Sequence, residues 1–173
     1  MKQIFLRTCV LIALISSSIA PAWADSNNNP VRKSSDKRYW DYGEVIFDAK
    51  TQLMWFKKDF WQLEGKHLNW YQAQEYLQKV NNKNYYGHSD WRLPTPAEAQ
   101  SLYERRKRNT DKDGDKFFID RIFPSGSGWS TWTTEEKGRE AIVFSYKDEG
   151  WSGFEDKIEG PDAFLRPVRS GKP

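Results

Sequence analysis

Arg105-Arg106-Lys107-Arg108 sets four cations side by side, and no other four-residue window beyond residue 24 is wholly basic. Guanidinium groups hold sulfate, phosphate and carboxylate through paired N–H donors, so such a run suits a polyanion, for example a sulfated or carboxylated polysaccharide. It also suits the end of a helix, where positive charge meets the negative pole of the dipole. The expectation is an exposed run that forms the main contact of any bound polyanion. Asp111, Asp113 and Asp115 follow closely and would cancel part of its field.

A second group is aromatic. Trp151 and Phe154 sit in a segment rich in Gly and acids after Tyr146, beside Glu155 and Asp156. Exposed rings flanked by carboxylates stack on sugar faces, whereas buried ones would pin the segment to the core. The candidate ligand-binding residues are therefore Arg105, Arg106, Lys107, Arg108, Trp151 and Phe154.

Catalytic and metal readings fare worse. His88, Ser89 and Asp90 have the residue types of a hydrolase triad, but three consecutive residues cannot converge as a triad must. Asp111, Asp113 and Asp115 resemble the start of a calcium loop. An EF-hand counted from Asp111 needs Gly sixth and Glu twelfth, positions held here by Lys116 and Ile122. A solvated turn is the simpler reading. Cys9 is the only cysteine and His67 the only histidine besides His88, so a zinc site of the usual type is not expected. No catalytic residue, metal ligand or cofactor is assigned, and the expectation is a protein that is not an enzyme.

The rest of the chain says what must position these groups. Lys2 and Arg7, an apolar stretch from Cys9 to Ala20, and Ala22-Trp23-Ala24 read as a signal peptide over residues 1–24. The apolar stretch is too short to span a bilayer, so no transmembrane anchor is expected in the mature chain. Loss of Lys2 and Arg7 takes the formal charge from +3 to +1. A nearly neutral exported chain is not expected to bind nucleic acid. It would act in the periplasm, at the cell surface or outside the cell. Cys9 leaves as well, so packing without disulfides must hold the fold. Beyond residue 24 there are 25 aromatic rings against 17 Ile, Leu and Val, which calls for an interior built largely from rings.

Asp25 to Lys37 is polar, and residues 25–38 read as a flexible leader to a single domain over 39–170. Val45-Ile46-Phe47 and Leu53-Met54-Trp55-Phe56 read as a hairpin turned at Asp48-Ala49-Lys50-Thr51. Asn69 caps a predicted helix with Trp70, Ala73, Leu77 and Val80 on one face and Asn81-Asn82 at its stop. Thr95, Pro96 and Glu98 spell a capping box with Pro at the first helical position, for a second helix running to about Lys107. Trp129 to Thr134 and Glu140 to Tyr146 read as strands, Lys147 to Asp162 as a long loop, and 163–169 as a closing strand with Pro167 at an edge or bulge.

The segment between the helices, Gly87-His88-Ser89-Asp90-Trp91-Arg92-Leu93-Pro94-Thr95, resembles the signature of the Lcl C-terminal domain family. Weaker resemblance extends from Val45 to Arg169. It includes Thr51-Gln52-Leu53-Met54-Trp55, with Gln52 where the family usually has Gly, and Val168-Arg169 at the close, with Pro167 at a family Cys. The resemblance implies an α+β fold of C-type-lectin-like type, two helices packed on a mainly antiparallel sheet with long irregular loops. It also implies an exported module that binds glycans, sulfated glycosaminoglycan-like polymers above all, in adhesion. Formylglycine-generating enzymes share the lectin-like fold, but their chemistry uses cysteines that the mature chain lacks. Adhesins of this type carry a collagen-like stalk, and this chain has no Gly-X-Y repeat. The alternative is an accessory subunit of the bacterial envelope that contacts another envelope protein. Asp90, Trp91 and Arg92 are expected to be structural, with Trp91 buried and an Asp90–Arg92 pair beside it.

Overall fold

Two continuous apolar runs joined by a polar turn form a strand pair only if both of its faces are covered, and this requirement organises the molecule. The computed structural model describes residues 29–147, 149–160 and 163–172. The expected signal peptide and the first residues of the expected leader lie outside them. Five strands form one antiparallel sheet: β1 (Arg32–Lys33), β2 (Tyr39–Asp41), β3 (Val45–Asp48), β4 (Leu53–Phe56) and β10 (Val168–Ser170), in the order β1-β2-β3-β4-β10. Alternate side chains of a strand point to opposite faces. Met54 and Phe56 accordingly enter one core with Trp91, and Leu53 and Trp55 enter another with Phe117, Ile119 and Phe144. The central hairpin lies between these two cores, so its runs need no polar face. Gln52 keeps the left-handed backbone that glycine would favour, at φ 59°, and its side chain donates to Ala49 O at 2.8 Å.

Among the described residues three α-helices surround this sheet, one more than the residue pattern suggests: α1 (Phe60–Glu64), α2 (Trp70–Asn82) and α3 (Pro96–Leu102). All three begin with a reciprocal capping box, at Asp59, Asn69 and Thr95. Two short strands, β5 (Asn109–Thr110) and β6 (Lys116–Phe117), form a separate ribbon. The third sheet is β7 (Ser130–Lys137), β8 (Glu140–Ser145) and β9 (Ser152–Asp156), in that order and antiparallel. The chain is thus a mixed α/β protein with antiparallel sheets. No helix among the described residues is long and apolar enough to cross a membrane.

Several expectations change. The segment before Tyr39 does not stand free of the domain, since Arg32 and Lys33 pair with Asp41 and Trp40 as an edge strand. The helix expected to reach Lys107 stops at Leu102, because Tyr103 turns to ψ 119° and Glu104 N–H donates to Phe118 O at 2.8 Å. Residues 104–108 are good helix formers, but the pairing of this segment with Phe118 outweighs propensity. The long loop after Tyr146 contains β9, paired with β8 from Glu140↔Asp156 to Phe144↔Ser152. Glycine and acids hid that strand from pattern reading.

The signature segment is structural in a way adjacency misjudged. Trp91 is 2% exposed. Its backbone exchanges hydrogen bonds with Asn81, at 2.8 Å each way, and its indole N–H donates to Tyr85 O at 3.0 Å. Asp90 pairs with Arg169 at 2.6 Å, not with Arg92. Arg92 instead grips Glu98, with both contacts at 2.7 Å. Burial tends to raise the Glu98 carboxyl, but Arg92 and the Thr95 backbone N–H outweigh it, and the pKa falls below the usual glutamate value. A depressed carboxylate stabilises the fold fully above its unfolded pKa and loses that contribution as pH falls through its folded one. Hydrogen-exchange protection of α3 should therefore persist at neutral pH and decline below about pH 4. Thr95→Ala should cost about 1 kcal/mol in urea unfolding and leave ligand binding unchanged.

Candidate functional site

The first turn beyond α3 divides the basic run into fixed and free members. Glu104 is held by Arg38 at 3.0 Å and by the Tyr39 hydroxyl at 3.2 Å. Lys107 N–H then closes a turn onto Glu104 O at 2.7 Å. The Lys107 ammonium reaches Asp36 at 2.7 Å and Asp120 at 2.6 Å. Burial would lower the Lys107 pKa, but the two carboxylates raise it well above that of a free lysine. Lys107, chiefly, together with Ser34 holds Asp36 far below the usual carboxylate range. Lys107 is therefore a pin between the N-terminal segment and the 120–122 wall, not a free contact. Arg105 points elsewhere and meets Glu149 at 3.4 Å, with both side chains more than three-quarters exposed. A pair so exposed contributes little.

Arg106 and Arg108 remain, and they face an open groove of about 460 Å³. Its walls hold Arg32, Lys33, Arg106, Lys107, Arg108 and Arg121, against the single carboxylate Asp120. Asp120 is spent on Lys107 and on the Ile122 N–H. Arg32 is spent on Asp41, at 2.9 Å, and on Ile122 O, which fastens β1 to the wall. Among the described residues, Lys33, Arg106, Arg108 and Arg121 have no carboxylate partner. Lys33 lies over the Trp40 ring at 3.8 Å, and the Arg121 Nε donates to Arg108 O at 2.7 Å, which leaves the rest of that guanidinium free. Four uncompensated cations thus converge on one concave surface.

The aspartates expected to oppose the basic run do not do so. The Asp111 carboxylate is buried and accepts N–H donors from Asp113 and Asp115. Lys147 lies 2.6 Å from Asp111 and 3.0 Å from Asp115, and Lys112 lies 2.8 Å from Asp113. The cation in this turn is lysine, so its field is settled locally. Trp151 and Phe154 are exposed, at 51% and 43%, but neither lines the groove. Trp151 immediately precedes β9 and Phe154 is its midpoint; three places apart, they fall on opposite faces of the sheet and do not form one stacking platform. A second cleft, about 400 Å³, borders α2 with Phe60 and Tyr76, but it mixes Glu64 and Glu75 with three lysines and concentrates neither sign.

The Lcl C-terminal domain model matches residues 44–169 of this chain. The chain belongs to the Lcl C-terminal domain family. No curated protein and no solved structure gives a match. The boundary of the Lcl C-terminal domain crosses the groove. Arg106, Arg108 and Arg121 lie inside the matched region, whereas Arg32, Lys33, Ser34 and Ser35 come from the segment before it. Sequence reading found Arg106 and Arg108 through their clustering. It had no signal for Lys33 or Arg121, each of which reaches the groove only because β1 and the 120–122 wall meet around Lys107.

Proposed function

We propose that this protein is an exported, non-enzymatic binding module that captures a polyanionic glycan, of the sulfated polysaccharide class, in the basic groove. The observation that carries the reading is the convergence of Lys33, Arg106, Arg108 and Arg121 without carboxylate partners around one concave surface. Sulfate esters spaced along a chain present the acceptor geometry that guanidinium forks hold, and an open groove admits a polymer where a closed pocket would not. The antiparallel sheets and capped helices are compatible with the C-type-lectin-like architecture that the family resemblance implies. Such a fold would present the groove from a rigid scaffold.

The test is retention on immobilised heparin in a salt gradient. Arg106→Ser/Arg108→Ser/Arg121→Ser should elute at distinctly lower salt than the parent, with a shallower dependence of affinity on salt. All four basic-run residues together are a poor target, because loss of Lys107 would strand Asp36 and Asp120. Guanidinium and ammonium groups keep their charge across the range in which histidine titrates, so retention should be flat between about pH 5 and 8. Equal elution of parent and triple variant would overturn the groove. No retention of either would overturn the ligand class and favour the envelope-subunit reading.

A further inference from the structure

Among the described residues, one edge of the three-stranded sheet is free, and its sequence can be set against a second copy of itself without opposing like charges. β9 is hydrogen-bonded on one side to β8 only, and β7 lies on the far side of β8. The opposite edge of this sheet is occupied: Trp132 N–H donates to Phe164 O and Thr134 N–H to Pro94 O, both at 2.9 Å. At the two ends of β9, Ser145 N–H donates to Trp151 O and Lys157 N–H to Arg139 O, at 2.7 and 2.9 Å. These contacts fix the alternation. Residues 151, 153, 155 and 157 turn their backbone groups towards β8, and Ser152, Phe154 and Asp156 turn theirs outward. Asp156 O already accepts from Gly160 N–H at 2.9 Å, whereas among the described residues the outward N–H and C=O groups of Ser152 and Phe154 are unpaired, and such an edge is a template for another strand.

We propose that β9 pairs antiparallel with β9 of a second copy of this chain, about a two-fold axis through Phe154. Phe154 is the midpoint of Ser152–Asp156, so this register pairs the whole strand with itself. It sets Phe154 against Phe154, Ser152 against Asp156, and Gly153 against Glu155. No like charges meet. Shifting the axis to Glu155 or Asp156 would oppose two carboxylates, which disfavours those registers. The two Phe154 rings, 43% exposed in the single chain, cover one another across the axis on the face they share with Ile142.

The other face completes the fit. A Cβ at Gly153 would lie 2.2 Å from the Trp151 ring, so the indole lies flat across this glycine. Opposite Gly153 stands Glu155 of the second copy, which no cation of its own chain neutralises among the described residues. It offers an acceptor to the exposed Trp151 indole N–H. The result is a continuous six-stranded sheet whose exposed aromatic residues lie at its centre. Two grooves on one particle would also raise avidity for a polymeric ligand without a stalk.

Sedimentation of the purified protein tests this directly. The parent should sediment as a dimer. Phe154→Pro removes the ring and an outward N–H but no bond to β8, and proline is tolerated on an edge strand in that orientation, so the β8 pairing survives. Phe154→Lys places two ammonium groups together on the axis. Both variants should sediment at about half the parent mass with unchanged far-UV circular dichroism. Should the proline variant unfold, the lysine variant decides alone. A monomeric parent at high concentration, or a dimer that survives Phe154→Lys, would overturn the proposal.

Discussion

Trp91→Ala is expected to cost about 3–5 kcal/mol, because it empties a core tryptophan site. The ring meets Phe56 edge-on at 4.5 Å, with Tyr86 at 6.3 Å and His88 at 6.0 Å around it. Tyr86 is itself held at φ 51°, a left-handed conformation that a bulky residue adopts only when packing repays it. Loss of the indole removes part of that packing, leaving Tyr86 its contact with Phe56 at 4.9 Å, and takes one of two donors from Tyr85 O, which keeps His88 N–H at 3.0 Å. Trp91→Phe keeps most of the ring contacts and loses the N–H, so it should cost only about 1–3 kcal/mol. Urea unfolding of both variants measures the two contributions. A Trp91→Ala protein as stable as the parent would show that the signature tryptophan does not anchor the fold.

Arg166→Leu should be comparably severe, at about 3–5 kcal/mol, because it leaves a buried carboxylate without its counter-charge. Arg166 is 2% exposed and donates to Phe56 O at 3.0 Å and Lys57 O at 2.7 Å. Its other terminal nitrogen lies 3.9 Å from Asp59, whose oxygens also receive Gln62 N–H and Gly128 N–H. Burial pushes the Asp59 carboxyl up, with Arg166 pulling it back, and burial pushes the Arg166 guanidinium down, with Asp59 opposing. Without Arg166 the Asp59 pKa rises further above its unfolded value. A raised carboxylate binds a proton in the folded state first, so the variant should regain stability as pH falls from neutrality towards about 4. Asp59→Asn in the same background should restore part of the loss at neutral pH. A pH-independent deficit, unchanged by Asp59→Asn, would show that packing and not charge sets the cost.

Local order was legible in the residues to the extent that local physics controls it. The capping residues Asn69 and Thr95, the helical spacing of Ala73, Leu77 and Val80, and the hairpin around Asp48 all depend on neighbours within one or two turns. Burial of Trp91 was legible too, since a large ring just before a capped helix has few places to go. The family followed from a short run that local rules already made distinctive, and the match over residues 44–169 supports it.

Contacts distant in sequence decided the remainder. Asp90 and Arg92 are two residues apart, yet they choose Arg169 and Glu98, because folding brings Arg169 to 2.6 Å from Asp90 and the first turn of α3 sets Glu98 at 2.7 Å from Arg92. Lys107 looked like its neighbours until Asp36 and Asp120 reached it from segments 71 and 13 residues away. The same closure brought Lys33 and Arg121 to Arg106 and Arg108. The sequence by itself determined that the chain carries clustered cations, capped helices and a ring-built interior. Only tertiary structure decided which cations stay free, because a charge is spent or spared by the carboxylate that folding places within about 4 Å of it.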